Sequence, residues 1–220
     1  MNQHLINRVF DTFPSLTALV IGDVMIDSYL FGSVDRVSPE APVPVISVKK
    51  KENRLGGAAN VALNVKALGA TPILCCVVGN DENANSFMDL MDFRGLSTEG
   101  ILKDSTRPTT VKTRVISQQQ QMLRIDEEDS SNLNLSVTDE MTEKILGILN
   151  SKKIDVVIFE DYDKGLISPD LIEAIVSRAN ELKIPVTVDP KKRNFTAYHN
   201  VTLFKPNLKE LREGLNIYVE

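Results

Sequence analysis

The chain has 220 residues, 42% hydrophobic and 25% charged, with a net charge of −5, enough for one large domain with a substantial core. The acidic balance argues against non-specific nucleic-acid binding, which needs basic surface, but leaves room for a local basic pocket. No apolar run reaches membrane-spanning length and residues 1–16 lack the apolar core of a secretory signal, so the expectation is a cytoplasmic protein with no nucleic-acid or membrane partner.

Residues 17–22, Thr-Ala-Leu-Val-Ile-Gly, read as a buried strand that runs into Asp23-Val24-Met25-Ile26-Asp27. Two carboxylates four apart beyond a strand end lie where ligands bind in open α/β sheets; either also reads as a turn cap. Residues 29–49 carry Ser38-Pro39-Glu40-Ala41-Pro42-Val43-Pro44-Val45. Proline is confined to edge strands and strand starts, so a short antiparallel element is expected apart from the main sheet, with Lys49-Lys50-Lys51 as a solvated turn.

Gly56-Gly57 then opens a helix over 58–68, with Val61, Val65 and Leu68 at helical spacing, Ala58 and Ala62 beside them, and Gly69 at its end. A helix start offers free backbone N–H groups, and residues without a Cβ let a ligand approach them. Asn60 adds an amide that both donates and accepts, which suits a polyhydroxylated ligand. The stretch also reads as a plain tight turn. It has no Gly-Lys-Ser/Thr of a Walker loop and no G-x-G-x-x-G dinucleotide fingerprint.

Strand 72–78 follows and contains the only cysteines, Cys75 and Cys76. Strand neighbours point to opposite faces, so both are expected as reduced core thiols. A helix is predicted over 82–94, then a half-exposed strand 109–117, a hairpin connection at Gln118–Gln121 and a returning strand 122–126. Ser136-Val137-Thr138-Asp139 predicts a capped helix start. Apolar strand 154–159, a helix opened by Ser168-Pro169, and strands 185–188 and 201–204 complete the alternation expected of a mainly parallel α/β sheet.

Polar residues collect after these strands: Glu160-Asp161-Tyr162-Asp163-Lys164-Gly165, Asp189-Pro190-Lys191-Lys192-Arg193 and Lys205-Pro206-Asn207-Leu208-Lys209-Glu210. Carboxyl ends of parallel strands border one crevice. Cations beside carboxylates suit a phosphate donor with a divalent cation. Asn207 with Glu210 also reads as a helix capping box.

Gly22–Asp27, Arg36–Val45, Gly56–Ala62, Thr110-Val111-Lys112-Thr113-Arg114, Asp161–Gly165, Val188–Lys191 and Lys205-Pro206-Asn207 with Glu210 span nearly the whole chain in order. On these motifs the sequence resembles the ribokinase-like carbohydrate kinases, and within them the heptose 7-phosphate kinase branch, to which the Ser-Pro-Glu-Ala-Pro-Val-Pro run is specific. The resemblance implies a three-layer α/β/α fold with a small β lid, whose strands lie within 29–50 and 109–126. Residues 1–220 would be the amino-terminal portion of one kinase domain.

The implied reaction is ATP- and Mg²⁺-dependent phosphorylation of D-glycero-D-manno-heptose 7-phosphate at its anomeric hydroxyl, giving heptose 1,7-bisphosphate for lipopolysaccharide core synthesis. By the same resemblance Asp23, Asp27, Gly56, Gly57 and Asn60 hold sugar hydroxyls, and Asp161 and Lys164 line the crevice. Lys191, Asn207 and Glu210 face ATP, with Glu210 acting on Mg²⁺ through water. Arg36, Lys112, Arg114 and Arg124 are candidates for gripping the 7-phosphate, and the lid pairs two subunits. The family's later Gly-Ala-Gly-Asp element, which carries the base, does not occur here, so no catalytic residue is expected before Glu220 and the isolated chain is expected to be inactive. Another sugar or nucleoside kinase of the same fold and a non-catalytic sugar-binding or dimerisation module stand as alternatives.

Overall fold

The computed structural model describes residues 3–217. Six strands form one parallel sheet: β1 (Thr17–Gly22), β4 (Thr71–Gly79), β5 (Ile101–Asp104), β8 (Val156–Glu160), β9 (Val186–Asp189) and β10 (Leu203–Phe204), in the order β10-β9-β8-β1-β4-β5. Strand alternation sets the two cores. Leu19, Ile21 and Cys75 face α4 (Leu135–Ser151) and α5 (Pro169–Glu181), whereas Val20, Leu74 and Cys76 face α2 (Ala58–Ala67) and α3 (Glu82–Phe93). Each large side chain buried this way contributes about 1.5–3 kcal/mol. No helix among the described residues is long and apolar enough to cross a membrane.

A second sheet stands beside the first, in the order β3-β2-β6-β7. Its strands are β2 (Val24–Val37), β3 (Pro44–Gly57), β6 (Val111–Ser117) and β7 (Gln120–Glu127). β2 pairs antiparallel with β3 and parallel with β6, and β6 pairs antiparallel with β7. Only Asp23 separates β1 from β2, so the chain bends directly from the central sheet into this one. β3 then delivers Gly57 straight to the start of α2.

Several expectations are corrected. The element at 29–49 is not short: β2 and β3 each run 14 residues. Pro39 and Pro42 fall in the connecting loop and Pro44 on the first strand position, where no ladder hydrogen bond is lost. Asp27 therefore sits inside β2 rather than in a loop, and Lys49–Lys51 lie in β3 rather than in a turn. The α2 stripe shifts to Ala58, Ala59 and Ala62, with Leu68 exposed, because close approach to the sheet selects small side chains. α4 is capped at Asn134 with no side-chain hydrogen bond, so the Ser136 capping box does not form. Ser168 does cap α5, accepting from the Leu171 amide, with Pro169 at the favoured first position. Helix α1 (Gln3–Thr12) and strand β5 had no counterpart in the sequence reading. Helix α6 (Leu208–Leu215) closes the described chain.

Candidate active site

Because the main sheet is parallel, Gly22, Glu160, Asp189 and Phe204 end their strands on one edge. Asp23 is the hub of that edge. Its backbone N–H donates to Glu160 O and its carbonyl accepts from Ala58 at 2.9 Å, tying β8 and α2 to β1. Its carboxylate accepts from the backbone N–H groups of Tyr162 and Lys164, each at 3.0 Å, and Leu166 at 3.3 Å. Burial raises its pKa against the pull of these three donors. Asp23, 5% exposed, thus shapes the loop that presents Lys164.

Gly57 and Gly56 are required for different reasons. Gly57 has φ +60°, and a Cβ there would lie 2.4 Å from Asp23 O. A Cβ on Gly56 would lie 2.4 Å from Asp27 Oδ2, so this glycine makes room for a carboxylate. Asp27 is also ion-paired with Arg114, whose guanidinium lies 5.4 Å from the Tyr29 ring centroid. Arg54 stacks on the same ring at 4.8 Å. Asp27, Lys112 and Arg114 share one face of the lid sheet by register. Asn60 is exposed in the first turn of α2.

Along the edge towards β10 the groups change character. Glu160 is paired in register with Asp189. Burial, and then the Asp189 carboxylate, push Glu160 up to about 7. Lys205 reaches Asp189 at 3.4 Å. Lys191 is ion-paired with Glu210 and sits over the Tyr162 ring. Glu210 and Asn207 form the reciprocal capping box of α6, with bonds of 2.8 and 2.9 Å. Burial pushes Glu210 up, but Lys191 and the Asn207 amide outweigh it and leave its pKa below the ordinary value. Among the described residues no three His, Cys, Asp or Glu side chains are grouped to hold a metal ion.

Two expected positions, Asp161 and Arg36, need correction. Asp161 is 1% exposed and does not face the crevice. Its oxygens accept from the Asp163 amide, the Asn194 side chain and the Tyr198 hydroxyl, and burial raises its pKa to about 6. It braces the loop from behind. Arg124, on edge strand β7, is half-exposed and paired at 2.9 Å with Asp126, which Lys112 also reaches at 3.1 Å. Arg36 is nine residues beyond Asp27 on β2, about 30 Å away along an extended strand, so it cannot share an anion with Lys112. Arg107, Asn194 and Tyr198 have no counterpart in the sequence pattern, and Arg193, expected among the cations after β9, instead pins a loop. Arg107 donates to Asp129 O and Lys164 O, and Arg193 to Ser130 O and Asn132 Oδ1. No local pattern marks such long-range pins. A groove of about 730 Å³ along α5 and Ala197–Asn200 touches none of these candidates.

The matching relatives are consistent with this arrangement. Solved structures share the fold: a phosphofructokinase-2 from Escherichia coli in complex with potassium aligns at TM-score 0.67 and 17% identity, over 93% of this chain and 64% of its own. A ribokinase from Arabidopsis thaliana, complexed with ribose and ATP, aligns at 0.62 and 14%, over 93% and 64%. The fold is thus ribokinase-like α/β. Two curated relatives named bifunctional protein HldE are closer in sequence. That of Pelobacter propionicus is 40% identical over 219 residues, covering 100% of this chain and 44% of the relative. That of Helicobacter pylori strain J99 is 42% identical over 206 residues, covering 92% and 43%. The chain spans less than half the length of these relatives. The model of the pfkB family of carbohydrate kinases matches residues 16–217, and the chain belongs to that family.

Proposed function

We propose that these residues are the amino-terminal portion of a kinase domain that transfers the γ-phosphoryl group of ATP to the anomeric hydroxyl of heptose 7-phosphate. The observation that carries this reading is the continuity of one polar edge. It runs from Asp27 over Gly56, through Lys112 and Lys164, to Glu160, Asp189 and Lys191. Asp27, Gly56, Gly57 and Asn60 bind sugar hydroxyls, and Asp23 and Asp161 fix the loop carrying Lys164. Lys191 and Lys205 neutralise nucleotide phosphates, and Asn207 lies beside them. The Glu160–Asp189 pair fits a nearby divalent cation, because a positive charge would favour the ionised Glu160 that burial, and then the Asp189 carboxylate, disfavour. Mg²⁺ on the nucleotide would supply charge neutralisation, and Glu210 is the carboxylate that would act on its water shell. The lid sheet pairs two subunits.

Phosphorus NMR of the protein as its cell makes it, incubated with Mg-ATP and heptose 7-phosphate, tests the reading. A new anomeric phosphate resonance is expected. Turnover only on unphosphorylated sugars would replace it with a second reading, which one observation favours: Arg114 and Lys112 are already paired with carboxylates.

A further inference from the structure

Two ammonium groups converge on a single carboxylate at the junction of lid and crevice. Glu128 Oε2 lies 2.6 Å from Lys112 Nζ, and Glu128 Oε1 lies 2.8 Å from Lys164 Nζ. The three side chains are only 15%, 16% and 24% exposed for Lys112, Lys164 and Glu128. Lys112 is in register with Asp27 on the neighbouring strand, one strand spacing of about 4.8 Å away. A ligand held at Asp27 and Gly56 therefore has this ammonium pair within reach of a substituent. Lys164 is itself fixed, its N–H by Asp23 and its carbonyl by Arg107.

We propose that Lys112 and Lys164 form the binding site for the phosphate group of an incoming sugar phosphate, and that the Glu128 carboxylate holds this site as an internal stand-in until the phosphate displaces it. The inference rests on the sugar-phosphate reading of the crevice. Two arguments support it. First, the exchange needs only a side-chain rotation. The backbone beyond Glu128 is pinned by Arg107 at Asp129 and by Arg193 at Ser130, while a glutamate side chain turns about three bonds. Secondly, the charges favour a dianion. Lys112, Lys164 and Arg124 face Glu128 and Asp126, which leaves one excess positive charge with Glu128 in place. A phosphate dianion in its stead brings the group to neutrality. Ser130 Oγ, 3.2 Å from Lys164 Nζ, offers a hydroxyl for a further phosphate oxygen.

Calorimetric titration of inorganic phosphate at low ionic strength, where screening is weak, tests the site without ATP or heptose. Glu128→Gln removes the competing charge and should tighten phosphate about tenfold, the scale of one charge-assisted contact. Glu128→Asp, too short to span both lysines, should also bind more tightly than the parent. Lys112→Met should weaken binding at least about tenfold. Phosphate affinity unchanged or weaker in both Glu128 variants, or insensitive to Lys112→Met, overturns the proposal. Failure of the heptose reading looks different: the phosphate response persists while no phosphoryl group reaches heptose 7-phosphate.

Discussion

Replacing Glu160 with Gln should make the protein more stable, and only above acid pH. In the folded chain Glu160 titrates near pH 7, against 4.5 without its surroundings, because it is buried and faces Asp189. That difference corresponds to about 3 kcal/mol. Between pH 4.5 and 7 the folded state keeps a proton that the unfolded chain has lost. Folding therefore takes up a proton in this window, and stability falls as pH rises through it, then levels off. Gln keeps the shape and an oxygen for the Tyr162 hydroxyl but cannot ionise. Urea unfolding followed by circular dichroism, at pH 5 and pH 8, gives the comparison. Relative to wild type, Glu160→Gln should gain about 2.5 kcal/mol more at pH 8 than at pH 5, because part of the penalty is already present at pH 5. Asp23 and Asp161 are raised in the same direction but are present in both proteins and cancel. An equal difference at the two pH values would refute the reasoning.

Gly56→Ala should push the Asp27 carboxylate aside, since the new Cβ would lie 2.4 Å from its Oδ2; a loss of about 1–3 kcal/mol is expected, with Arg114 side-chain NMR signals broadened by loss of their partner. Asp23→Ala orphans three backbone donors and should cost about 3 kcal/mol or more, read as faster amide exchange at Tyr162, Lys164 and Leu166 than in α5. Cys75 has its pKa pushed up to about 12 by burial, and burial also raises Cys76 well above the ordinary thiol value. Both thiols should react with an aromatic disulfide only at the rate of unfolding, and rapid labelling of the folded protein would contradict their assignment to opposite cores.

What could be read from the sequence follows from the range of the forces involved. β1 and β8 are continuous apolar runs, and α5 is announced by Ser168-Pro169, because period and capping are local properties. β5 is a four-residue edge strand, too short to show a period. The lid strands were underestimated because their exposed faces carry Lys, Glu and Arg, which mask alternation. On α2 hydrophobicity alone favours Val65 and Leu68, but the side chains fully buried against the sheet are Ala58, Ala59 and Ala62, because the close approach favours alanine. The clustering of carboxylates and lysines at successive strand ends was legible, since parallel topology gathers those ends. The burial of Asp161 was not, because it depends on Asn194 and Tyr198, more than thirty residues later. The Lys112–Glu128–Lys164 arrangement likewise exists only once the lid has folded onto the loop that Asp23 holds.

The central claim is that Asp27, lying over Gly56, anchors a phosphorylated sugar in this crevice. Calorimetry with heptose 7-phosphate, on the wild-type chain and on Asp27→Asn, tests it most directly. Saturable binding at one site per chain, weakened about tenfold or more by Asp27→Asn, is the predicted result. No binding by the wild type, or equal affinity in the two proteins, would contradict the account.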